Sequence, residues 1–178
     1  MKNLKQFNIS FVGLKEEKHL FNYQLDKTFF TTFDYEEFNE ANINVDLEFD
    51  KKPTLLTLHF TASGSINVPC DVTNELFNQT IEANLKLIVK FGPEFNDDNE
   101  DVLILPYDEF QINVAQYIYE MIVLAVPQKR VHPQVLDGTM QSEVLEKLKQ
   151  LEIKQEKPVE ENTTDPRWDK LKDLLTDK

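Results

Sequence analysis

The sequence predicts an α+β fold: a mostly antiparallel β-sheet of about six or seven strands in the first two thirds, packed by a nearly buried helix. A second helix and a tethered C-terminal helix follow. Three observations carry that expectation. Apolar and polar residues alternate strictly in one segment after another as far as Phe91, the connections between these segments are short, and beyond Phe110 the period lengthens to three and four. Period two sets one strand face on a core and the other in water, whereas a spacing of three and four marks one side of a helix.

Phe7, Ile9 and Phe11 share one phase, as do Phe21, Tyr23 and Leu25. Ile43, Val45, Leu47 and Phe49 enclose Asn44, Asp46 and Glu48. Leu56, Leu58 and Phe60 come next, then Ile66, Val68 and Cys70. The longest run is Ile81, Ala83, Leu85, Leu87, Val89 and Phe91. Lys51-Lys52-Pro53 and Ala62-Ser63-Gly64-Ser65 carry turn residues, so neighbouring strands are expected to pair as hairpins. The aromatic-rich Phe29–Phe38 (FFTTFDYEEF) lacks a clean period and reads as a short helix or a packed loop. Pro93–Asp101 (PEFNDDNED) reads as an acidic, turn-rich loop, and Val102–Leu105 as a short apolar strand.

From Gln111 to Ala125 the polar Asn113, Gln116 and Glu120 interrupt an otherwise apolar run. This predicts a helix with a narrow wet stripe, laid across the sheet and closed by Pro127. Met140, Val144, Leu145, Leu148 and Leu151 predict the second helix. Residues 152–164 (EIKQEKPVEENTT) are charged and aperiodic, as in a flexible linker. Asp165 then suits an N-cap and Pro166 the first helical position, with Trp168, Leu171, Leu174 and Leu175 on one face. The expected organisation is an α+β domain over 1–151, an acidic linker over 152–164 and a short amphipathic helix over 165–178.

Of the 178 residues, 40% are hydrophobic and 13 are Phe, enough to bury a substantial core. The formal net charge of −13 repels phosphate backbones, which argues against general coating of nucleic acid. It leaves a basic protein, or one small cationic patch, as routes to a partner. With Cys70 as the one cysteine, neither an internal disulfide nor a cysteine-rich zinc site is expected. The start MKNLKQFNIS lacks an apolar signal core, and Tyr117–Val126 falls well short of the ~20 residues that span a bilayer. The cytoplasm is the expected compartment, with no membrane partner.

Reactive constellations are missing from the pattern. Gly13, Gly64, Gly92 and Gly138 are too dispersed for a phosphate loop, and His19, His59 and His132 sit in separate segments. Cys70 continues the inward phase of Ile66 and Val68, and a neighbouring Asp71 would raise its thiol pKa, so it reads as a small core residue. No catalytic residue, metal, cofactor or small-molecule substrate is expected. A chance carboxylate pair among the 32 acidic residues keeps an enzyme with an unrecognised site as the weaker alternative.

Three segments in order, INVPCDVTNEL, ILPYDEFQINVAQYIYEMIVLAVPQKRVHP and DPRWDKLKDLL, resemble the YceD-like family of proteins linked to accumulation of large-subunit ribosomal RNA. The resemblance runs from about residue 40 onward and is closest at Asp165-Pro166-Arg167-Trp168. Many relatives have a second cysteine three positions after the one matched by Cys70, with more near the C-terminal part. Here Thr73 occupies that position, so a metal or redox role is not carried over. The resemblance implies a non-catalytic ribosome biogenesis factor, with a ribosomal protein or pre-ribosomal particle as partner and ribosomal RNA as the alternative.

Two places are candidates for partner binding. Lys129, Arg130 and His132 form the one tight basic cluster, which either docks an RNA phosphate run or complements the end of the preceding helix. Asp165, Pro166, Arg167, Trp168 and Leu171 belong to a helix too short to be stable alone. It either packs on its own domain or anchors a partner through Trp168.

Overall fold

The computed structural model describes residues 4–99 and 102–151. The chain is α+β, and it divides into two units, Met1–Met140 and Gln141–Lys178. The first begins with a 3-10 turn (Leu4–Phe7) and contains β1 (Asn8–Ser10), β2 (Lys18–Asp26), α1 (Lys27–Thr31), β3 (Glu40–Lys51), β4 (Leu55–Pro69) and β5 (Leu76–Gly92). It continues with β6 (Asn96–Asn99), β7 (Val102–Pro106), β8 (Gln111–Asn113), α2 (Ala115–Ala125) and α3 (Pro133–Leu136). Six strands form one sheet in the order β2-β3-β4-β5-β7-β6, while β1 and β8 pair as a separate ribbon. All pairs are antiparallel except β5 with β7, because the chain passes to β6 first and β7 returns between them.

The alternation is realised as read. Ile43, Val45, Leu47 and Phe49 of β3 are buried together with Leu56, Leu58 and Phe60 of β4, and Leu47 stands opposite Phe60. The other face of the sheet is polar and cross-linked, with Asn22 Nδ2 donating to Asn44 Oδ1 at 2.8 Å and Asp46 Oδ1 at 2.7 Å. Asn67 Nδ2 likewise donates to Asn78 Oδ1 at 2.8 Å. Such pairs hold register on a wet face without adding to the core.

One expected turn does not exist. Ala62-Ser63-Gly64-Ser65 lies inside β4, whose inward phase runs unbroken from Leu56 to Val68. Gly64 stands between Ile43 and Ile81 on the neighbouring strands. A Cβ there would lie 2.7 Å from Ile43 Cα and closer still to the Asn42 carbonyl oxygen, so glycine serves close strand approach and not reversal. The real reversal comes at Cys70–Glu75, where Asn74 adopts a left-handed backbone with φ of 60°.

The buried sheet face is covered by the β1–β8 ribbon, α1 and α2. Asp26 caps α1, accepting from Thr28 N–H at 3.0 Å, and the helix then gives way to a packed loop. Phe7, Phe29, Phe30 and Phe38 form a chain of ring contacts with centroids 4.9–5.2 Å apart, and Phe33 stacks on Tyr119 at 4.4 Å. Residues 111–113, expected as the first turn of the long helix, instead form β8 against β1. Asn113 then accepts the Ala115 N–H at 3.0 Å and so acts at the helix entry. The expected acidic loop contains the short edge strand β6. α2 ends at Ala125, with Val126 extended as the residue before a proline must be.

In the second unit the described element is α4 (Glu143–Leu151), with Val144, Leu148 and Leu151 exposed. Met140, expected on the same helix face, precedes it, its N–H donating to Gln134 O at 2.9 Å. The expected linker over 152–164 and terminal helix over 165–178 lie outside the described residues. Among the described residues no helix is long and apolar enough to cross a membrane.

Candidate functional site

The basic cluster follows α2 and runs past the β4–β5 reversal, where backbone and side chains clasp. Asp71 N–H donates to Arg130 O at 2.8 Å, and Arg130 N–H donates to Asp71 Oδ2 at 2.6 Å. The Arg130 guanidinium reaches Asp71 Oδ1 at 3.6 Å and Glu37 Oε2 at 3.2 Å. One guanidinium thus faces two carboxylates. The guanidinium is outnumbered, so its surroundings are not a field that would gather phosphates. Lys129, next to Arg130 in the chain, is exposed.

His132 is tied in as well. Its N–H donates to Cys70 Sγ at 3.4 Å, its Nδ1 accepts the Gln134 N–H at 3.1 Å to cap α3, and its ring lies 5.4 Å from Phe77. Pro133 at the first helical position completes this start signal, which in the sequence reads only as part of a basic run.

Cys70 is buried, as its phase requires. Burial pushes its thiol up, but hydrogen bonds from the Thr73 side chain and from the backbone N–H groups of His132, Thr73 and Val72 outweigh that. The net result is a thiol lowered from 9.0 to about 7, opposite to the expectation from Asp71 as a neighbour. Asp71 turns to Arg130 instead. Thr73, a buried polar residue, supports the sulfur and accepts from Glu75 N–H at 3.4 Å, which accounts for its place in the core. Among the described residues no three His, Cys, Asp or Glu side chains gather as metal ligands would.

A second feature is hidden in the sequence. α2 packs against β5, and beyond it the covered sheet face stays open toward β7 and β6, leaving a groove of about 880 Å³. Leu85, Leu87, Leu103, Leu105 and Met121 contribute its apolar surface, and Asp97, Glu109 and Glu120 its charge. Tyr117 lies half-buried among them, its hydroxyl pKa raised by burial and then by the nearby Asp97 and Glu120 carboxylates. The one legible trace is Leu124, which continues the wet stripe Gln116–Glu120 at four-residue spacing and is 83% exposed. Of the other predicted binding residues, Asp165, Pro166, Arg167, Trp168 and Leu171 lie outside the described residues.

Comparison with curated proteins and with solved structures gives no significant match. A family model does match, over residues 58–175, and that span holds β4 from Leu58 onward, the Cys70 reversal, α2 and the Arg130 seam. The chain belongs to the YceD family, described as large ribosomal RNA subunit accumulation protein.

Proposed function

We propose that this chain is a non-catalytic, cytoplasmic ribosome biogenesis factor that supports accumulation of large-subunit ribosomal RNA by holding a basic ribosomal protein or an assembly intermediate. Family membership supplies the process. The observation that carries the mode of action is the net charge of −13 on a chain whose Arg130, at the centre of the basic cluster, is already matched by Glu37 and Asp71. Such a surface attracts cationic polypeptides and speeds their association, with strong dependence on salt. The reading requires no cofactor and no small-molecule substrate. Asp165, Pro166, Arg167, Trp168 and Leu171, inside the family-matched span, are assigned to partner contact in the same reading.

Affinity capture with the full chain tests it. Large-subunit components should be recovered at low salt and lost at high salt, and recovery of nothing ribosomal under gentle conditions would overturn the reading. Direct contact with ribosomal RNA through Lys129, Arg130 and His132 draws less support, because Arg130 and His132 are engaged within the seam. In that alternative, the double change Lys129→Glu with Arg130→Glu would abolish RNA binding by a folded protein.

A further inference from the structure

We propose that the groove between α2 and the β7–β6 end of the sheet is a docking site for a basic, amphipathic peptide segment of a partner protein: lysines or arginines spaced by leucine-like residues. This rests on the reading of the chain as a holder of a basic client, and it locates the grip.

Charge complementarity selects the occupant. Asp97 on β6, Glu109 before β8 and Glu120 on α2 come from three separate places in the chain, yet all border one groove, and no lysine or arginine among the described residues lines it. The ion pairs among the described residues use Glu37, Glu48, Asp50 and Asp71, so these three carboxylates have no cationic partner there. Glu120 accepts instead from Gln116 Nε2 at 2.8 Å, one turn away on the same helix. Uncompensated carboxylates around low-dielectric walls focus a negative potential. That field repels RNA and anionic lipid surfaces, which leaves a cation-bearing polypeptide.

The apolar half of the groove supplies the second requirement. Leu124 is 83% exposed and Phe95 56% exposed, and both line the groove. Exposed apolar side chains on the rim of the groove, and not only in its floor, suit successive side chains of an amphipathic segment. Apolar anchors would cover Leu124 and Phe95 while cations meet Asp97, Glu109 and Glu120. A purely cationic chain would use only half of this surface, and a purely apolar one would leave the carboxylates unmatched.

The test uses the full chain and two fluorescent synthetic peptides of equal charge, one of alternating lysine and leucine, the other of lysine spaced by glycine. Anisotropy titration should give at least tenfold tighter binding of the lysine–leucine peptide. Leu124→Glu, and separately Asp97→Lys with Glu120→Lys, should each weaken it at least tenfold with an unchanged circular dichroism spectrum. Equal binding of both peptides, groove variants that bind like wild type, or binding of a labelled single-stranded RNA oligonucleotide that the groove variants lose would each overturn the groove assignment. Capture of large-subunit components by the same proteins separates the two failures. If wild type and groove variants capture them equally, the groove is wrong and the assembly reading stands. If wild type captures none, the assembly reading fails.

Discussion

The Cys70–His132 seam and the α2–β6 groove treat charge in opposite ways. In the seam the central polar groups have partners: Arg130 meets Asp71 and Glu37, Cys70 Sγ receives the His132 N–H, and His132 Nδ1 caps α3. In the groove three carboxylates stand over leucines with no cation beside them among the described residues. Two of the three members of the basic run, Arg130 and His132, are therefore spent inside the fold, and only Lys129 remains on the surface. Cations consumed in joining two loops are unavailable to a ligand, whereas unmatched charge beside exposed apolar surface is available.

The largest effect should come from breaking the seam. Asp71→Ala removes the acceptor of the Arg130 N–H and one ion-pair partner, and should cost about 1–3 kcal/mol in urea unfolding. A loss below about 0.5 kcal/mol, the scale of an ordinary surface change, would show that the seam is not structural. His132→Ala deletes the α3 cap and the ring contact with Phe77, with an expected cost of about 1 kcal/mol by the same measurement.

The Cys70 thiol sharpens the comparison through pH. Its folded pKa, about 7, lies below the ordinary 9.0, so the folded state releases this proton first. Its stabilising contribution is fully present above the ordinary value of 9.0 and is lost as pH falls through about 7. Relative to Cys70→Ala, wild-type stability should therefore rise between these two values, and parallel profiles for the two proteins would refute the thiolate. The smallest effects belong to the groove. Glu120→Gln and Leu124→Ala should shift stability by less than about 0.5 kcal/mol, since neither side chain is buried or ion-paired. A larger loss would mean that the groove is part of the scaffold.

Much of the scaffold is legible because burial on one face imposes a two-residue period. That period identifies β3, the buried phase of β4 and β5, and the inward side chain of Cys70 before any pairing is known. The same rule, applied strictly, removes the false turn at Gly64, since the inward phase passes straight through it. At Ala62–Ser65 the unbroken burial phase outweighs the turn-forming residue types. The exchange of a helical first turn for β8 is not legible, because the β1 backbone that pairs with Gln111–Asn113 is so remote in the chain.

The sequence by itself determined the α+β class, the apolar faces, the excess of negative charge and the family's signature segments. Each of these follows from local periodicity, composition or residue order. Only the tertiary structure decided which charges meet. It set Arg130 between Glu37 and Asp71, 93 and 59 positions away in the chain, and it brought Asp97, Glu109 and Glu120 to one groove. Electrostatic pairing depends on separations of a few ångströms, and those are fixed by how strands register and helices pack, not by distance along the chain.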